Sequence, residues 1–163
     1  MKLCVQQKIF SWNDKFAVKD EHGTDKYFVE GEFFSWGKKL HVFDTSGNEV
    51  AFIQQKVFSF LPKFFVFVNG EQVAEIVKEF TILRPRYSIG GLEWEINGDI
   101  WSHNYEVLES GRNVVNIKKE WFTWGDCYVL DLADNTNDVV ALAVVLAIDC
   151  VMAQAGSSAS TNS

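Results

Sequence analysis

The sequence predicts a mainly β protein: a closed antiparallel β-barrel of about twelve strands, in two six-stranded pseudo-repeats, around a central hydrophobic C-terminal helix. Three observations predict it. From Leu3 to Leu132, short apolar or alternating segments are interrupted every few residues by turn chemistry. The motif Phe34-Ser35-Trp36-Gly37 recurs as Phe122-Thr123-Trp124-Gly125, and each copy is followed by a strand pattern and a polar turn. Finally, Val139 to Ile148 is an unbroken run of ten apolar residues. A helix that is apolar on every side has to be buried. An eight-stranded barrel is too narrow to hold one, whereas eleven-stranded cans do so.

The elements follow in order. Leu3–Phe10, Lys15–Lys19, Lys26–Phe34, Lys39–Asp44, Glu49–Ser59 and Phe64–Val68 read as the strands of the first half. Glu71–Ile82, Tyr87–Ile89, Leu92–Asn97, Ile100–Leu108, Asn113–Trp121 and Cys127–Leu132 read as those of the second. Alternation is plain in Leu40-His41-Val42-Phe43 and in Trp94-Glu95-Ile96, which predicts one buried face and one wet face. Asn69-Gly70 and Asn97-Gly98 each predict a tight hairpin turn. Asn135, Thr136 or Asn137 can cap the helix, and Asp138 places a negative charge in its first turn. The helix is expected to run to about Gln154, ~25 Å, and to stop at Gly156. The apolar run itself spans only ~15 Å, half of a bilayer core, so the chain is expected not to be transmembrane.

Residues 1–155 therefore form one predicted domain and 156–163 a disordered tail. With 163 residues the domain needs no metal or disulfide staple. The formal net charge of −7 leaves no basic footprint for nucleic acid. Cys4, Cys127 and Cys150 are an odd, widely spaced set, and Met1 to Lys8 lacks a secretory apolar core; both point to a cytoplasmic protein.

No residue pattern announces catalysis, and no cofactor is implied. Gly90-Gly91 lacks the spacing of a phosphate cradle, and His22, His41 and His103 form no metal-binding pair. Glu30 with Glu32, and Glu93 with Glu95, read as polar outer faces of strands rather than an acid–base pair. Val140, Val144, Ile148 and Asp149 are assigned to the core helix. Asp149 is expected to be a hydrogen-bonded structural group, met by backbone or a Trp N–H. Cys150 reads as a small core residue, and Trp36 and Trp124, at equivalent repeat positions, as corner packing. Arg84-Pro85-Arg86 is the best local cationic feature. With Lys118 and Lys119, and Lys38-Lys39 at a related repeat position, it is a candidate site for a phosphate or carboxylate.

Over roughly residues 3–153 the order of motifs resembles the LURP-one-related family, relatives of the tubby C-terminal domain and the phospholipid scramblases. The resemblance is carried by Phe16-Ala17-Val18-Lys19-Asp20, Tyr27-Phe28-Val29-Glu30-Gly31, Phe34-Ser35-Trp36-Gly37 and Asp44-Thr45-Ser46-Gly47-Asn48-Glu49-Val50-Ala51. Trp94-Glu95-Ile96-Asn97-Gly98-Asp99 and Ala141–Asp149 complete it. It implies a tubby-like barrel around the C-terminal helix. It also implies a role for Arg84, Arg86, Lys118 and Lys119 at an anionic headgroup, since tubby domains hold phosphoinositides with basic residues of the barrel wall. The leading expectation is a non-enzymatic barrel that binds a protein or small-molecule ligand. Peripheral binding of anionic phospholipid and an enzyme with an unrecognised cleft are the alternatives.

Overall fold

The computed structural model describes residues 1–6, 15–32, 36–81, 86–122 and 125–159. Its strands are β1 (Lys2–Gln6), β2 (Lys15–Asp20), β3 (Asp25–Gly31), β4 (Lys39–Asp44), β5 (Glu49–Gln55) and β6 (Lys63–Val68). They continue as β7 (Glu71–Glu79), β8 (Arg86–Gly90), β9 (Trp94–Asp99), β10 (Asn104–Glu109), β11 (Arg112–Phe122) and β12 (Gly125–Leu132), and the helix α1 is Asp138–Ala159. All twelve form one antiparallel sheet in the order β8-β7-β6-β5-β4-β3-β2-β1-β12-β11-β10-β9. β1 pairs with β12, which joins the first half of the chain to the last. The sheet curls into a barrel that is nearly closed: β8 and β9 end the ladder and share no hydrogen-bonded pairing with each other.

Strand alternation delivers the core. Leu40 and Val42 of β4, Phe64, Val66 and Val68 of β6, and Val115 and Ile117 of β11 all point inward and are buried. Register shifts at Val18/Lys19, Val42/Phe43, Val66/Phe67 and Val107/Leu108 are bulges that add the bend a closed sheet requires. Asn69 and Gly70 turn between β6 and β7 with φ of 50° and 83°, the left-handed pair that a two-residue hairpin needs.

α1 fills the interior, packing most closely on β5, β6 and β7. Ala141 through Ile148 are buried without interruption, so this stretch of the helix has no wet face. Val144 and Ile148 are fully buried, while Val140 is partly exposed and packs at the edge of the core. Asn137 is the cap: its Oδ1 accepts the Val140 N–H at 3.0 Å. Asp138 accepts a 2.6 Å hydrogen bond from the Tyr27 hydroxyl, tying the first turn to β3.

Four expectations are corrected. Asn97-Gly98 is not a turn but lies within β9, and residues 100–103 turn instead. Gly98 is needed there because a Cβ would come within 2.9 Å of the Tyr105 Cα on β10. The helix runs through Gly156 to Ala159; Gly156 faces open space, and the helical turns before it outweigh its modest entropic cost. At 22 residues, ~33 Å, α1 is long enough and apolar enough to cross a bilayer, so length does not set it apart from a membrane span. In the barrel, 72% of that apolar stretch is buried. Trp36 is not packed in a corner but stands 83% exposed; Trp124 lies outside the described residues.

Candidate functional site

Strictly antiparallel order sends successive connections to alternate ends of the barrel. One end carries Trp36 after β3, Phe58 and Phe60 between β5 and β6, Phe80 after β7, Trp101 after β9 and Trp121 closing β11. Their exposures are 83%, 93%, 95%, 78%, 51% and 78%. Most large exposed apolar side chains of the described residues thus gather on this aromatic rim, Met1 and Phe28 being elsewhere. Phe58 sits at φ 62°, a strained conformation for a bulky residue, and its ring points into solvent.

Charge divides along the same axis. Near the aromatic rim lie Lys15, Lys38, Lys39, Lys56, Lys63, Lys78, Arg86, Lys118 and Lys119, against Glu30, Glu32, Glu79, Asp99 and Glu120. Near the opposite rim lie Asp20, Glu21, Asp25, Asp44, Glu49, Glu71, Glu93, Glu95, Glu109, Asp131, Asp134 and Asp138, against Lys2, Lys19, Lys26 and Arg112. Among the described residues, the acidic excess is therefore concentrated at the end where α1 begins, and cations outnumber anions toward the aromatic end. Some of those cations are engaged: Lys15 meets Glu30 at 2.8 Å, Lys39 meets Glu32 at 3.0 Å and Lys63 meets Glu75 at 3.2 Å. Lys56, Lys78, Arg86, Lys118 and Lys119 make no ion pair among the described residues.

Inside the barrel, the 100–103 turn of the same rim meets the helix. Asp149 is 1% exposed, and its Oδ2 accepts a short hydrogen bond from the Tyr128 hydroxyl. The His103 Nε2 lies 3.3 Å from Asp149 Oδ1, off the axis of a hydrogen bond, and the ring stacks on Tyr128 at 4.5 Å. Burial, and then the adjacent Asp149 carboxylate, push the Tyr128 and Tyr105 hydroxyls well above the ordinary phenol value, so both stay protonated. Burial likewise raises the Cys150 thiol, which keeps it an inert core group.

A cleft of about 1020 Å³ follows the open seam between β8 and β9. It runs from Glu93 and Ser110 at the acidic end to Arg86, Gly98 and Ile100 at the aromatic end, with Tyr87, Ile89, Trp94 and Ile96 along it. Among the described residues, no group of His, Cys, Asp or Glu is placed to hold a metal ion.

Of the candidate anion ligands, Arg84 lies outside the described residues. Arg86, Lys118 and Lys119 are exposed at one end of the barrel, although β9 and β10 separate β8 from β11 and no bond joins them. They share a rim rather than a pocket. Glu30 and Glu32 are held by Lys15, Lys39 and His41, as an outer polar face would be, while Glu93 and Glu95 border the seam. Asp149 is a buried hydrogen-bonded group whose partner is a tyrosine rather than backbone or tryptophan. Sequence reading missed the aromatic rim and His103. Strand parity applied to every loop aromatic would have found the rim, whereas nothing local links His103 to a helix 46 residues later.

Comparison with known proteins agrees with this architecture. The model of a family described as LURP-one-related matches residues 1–149. The chain is similar to "Uncharacterized protein YxjI" of Bacillus subtilis (strain 168), 36% identical over 153 residues, covering 93% of this chain and 94% of that protein. Its fold is similar to that of an Arabidopsis thaliana protein of known X-ray structure, with a TM-score of 0.62 over 91% of this chain and 90% of that one. At 15% identity, that likeness speaks to fold alone.

Proposed function

The chain belongs to the LURP-one-related family, and from that premise we propose that it is a non-enzymatic barrel that docks end-on against anionic phospholipid surfaces. The observation that carries the proposal is the aromatic rim, with six exposed Trp and Phe side chains on one end of the barrel. Tryptophan and phenylalanine favour the boundary between headgroups and acyl chains, where the ring is shielded and the loop backbone stays hydrated. Rings already exposed in water are the cheapest to insert, because nothing in the barrel has to open. Lys56, Lys78, Arg86, Lys118 and Lys119 on the same end would face the lipid phosphates, each adding about 1 kcal/mol near an anionic surface. The acidic end would point away, so the overall charge of −7 orients the molecule rather than excluding it.

Vesicle co-sedimentation of the full chain tests this. Binding is expected with phosphatidylserine-containing vesicles, weakening at high salt, and little is expected with phosphatidylcholine alone. Phe58→Asp with Phe60→Asp should cost about 3 kcal/mol, a loss of roughly a hundredfold in partitioning. Arg86→Ala with Lys118→Ala and Lys119→Ala should cost a similar amount at low salt and much less at high salt. A protein that ignores anionic vesicles, or binds equally well without the two rings, contradicts the proposal.

A further inference from the structure

We propose that the outer wall of β3–β6 is the face through which two copies of this chain associate. The outer face of an antiparallel sheet is ordinarily polar, and across β9–β11 it is so, with Asn97, Glu106 and Asn116 in register. Across β3–β6 it is aromatic. Val29, Val42, Ile53 and Val66 are buried inside, so alternation turns Phe28, Phe43, Phe52, Phe65 and Phe67 outward. Register joins them into one surface: Phe28 lies opposite Phe43, His41 opposite Phe52, and Phe52 opposite Phe67. The His41 and Phe52 rings lie 4.8 Å apart, and those of Phe52 and Phe67 5.9 Å. Phe28 is 37% exposed and the other four are half-buried, so an apolar partner has something to cover.

Charge selects a second copy as the occupant. The chain carries a formal net charge of −7, so two copies repel one another wherever that charge is unpaired. On and beside this wall the carboxylates are met from within. Lys15 pairs with Glu30 at 2.8 Å, Lys39 with Glu32 at 3.0 Å and Lys63 with Glu75 at 3.2 Å. His41 lies between Glu32 at 2.9 Å and Glu49 at 2.5 Å. A partner of opposite charge gains little from charges already paired, whereas a like-charged copy is repelled least here. Two such sheets packed face to face about a two-fold axis cover the same rings on both copies. Four strands of six or seven residues offer a footprint of about 20 by 20 Å, or about 400 Å² per copy. A standard stable interface covers ~800 Å² per partner, so this dimer is weak, with a dissociation constant of roughly 10–100 μM.

This reading is independent of the lipid surface, and its test uses the full chain without lipid. Sedimentation equilibrium is expected to show a monomer–dimer equilibrium that tightens as salt rises, because screening relieves the net repulsion. Phe52→Thr with Phe67→Thr keeps a strand-forming residue at each outward position and should weaken the dimer roughly tenfold or more. Phe58→Asp with Phe60→Asp, which removes association through the aromatic rim, should leave this dimer intact. Circular dichroism checks the fold of each variant. Should the wall variant not fold, NMR spectra of the unaltered chain at rising concentration decide the matter. Shifts are expected at residues 28, 41–43, 52 and 65–67, and not at 95–97 or 116–118. A chain that stays monomeric up to about 1 mM, a dimer lost in the rim variant, or shifts centred on another wall would each overturn the proposal.

Discussion

Asp149 shows how one residue can be forced by its neighbours. A carboxyl in the middle of an apolar helix has no water, so it must find donors within the barrel. Tyr128 supplies one from β12, and the His103 ring stands beside it on the 100–103 turn at φ 51°. Tyr128→Phe removes the donor while leaving the ring packed, and should cost about 1–3 kcal/mol in urea unfolding, because the acceptor is left buried. Asp149→Asn retains an oxygen for Tyr128 and should cost less. An unchanged unfolding midpoint for Tyr128→Phe would remove this pair from the forces holding the helix. The polar character of Asp149 within an apolar run was legible in the sequence. Its partners were not, because Tyr128 is 21 residues away and His103 lies on a different hairpin.

At the scale of elements, twelve strands and one helix follow from alternation, turn residues and an all-apolar segment, and β4 matches its expected bounds at both ends. The one misplaced turn is instructive. Asn97-Gly98 has the residues of a hairpin, but glycine serves two purposes, tight turning and close approach, and sequence does not separate them. Two substitutions do. Gly70 has φ 83° and nothing within 4 Å of an added Cβ, so Gly70→Ala should cost only the left-handed backbone, about 1 kcal/mol. Gly98 has φ 115°, and an added Cβ would lie 2.9 Å from backbone atoms of β10, so Gly98→Ala should cost about 3 kcal/mol. Thermal or urea unfolding separates them; equal losses would mean that β10 yields to the methyl group.

For the whole molecule, pH tests how the surface carboxylates are held. The Thr24 amide holds the Asp20 carboxyl below its usual range, and the Asn48 side chain does the same for Asp44. Ser102 lowers Asp99, Lys39 and then His41 lower Glu32, and Asn97 lowers Glu106. In every case the folded pKa lies below the unfolded one. The stabilisation is thus present above the ordinary carboxylate value of about 4 and is lost as pH falls through the lowered values. Urea midpoints should be level above about pH 5 and decline below about pH 4. A midpoint that rises on acidification would contradict these assignments.

The sequence by itself determined the class of fold, since periodicity, turn chemistry and an all-apolar helix are local properties that each segment carries. It also contained every charge and every ring. Tertiary structure alone decided which of them stand together, because an antiparallel barrel sorts its loops by parity and gathers residues as distant as Trp36 and Trp121 on one rim. Closure decided the rest. Eleven of the strand junctions are sealed by hydrogen bonds, and the seam left between β8 and β9 is a property of the whole circuit that neither strand encodes alone.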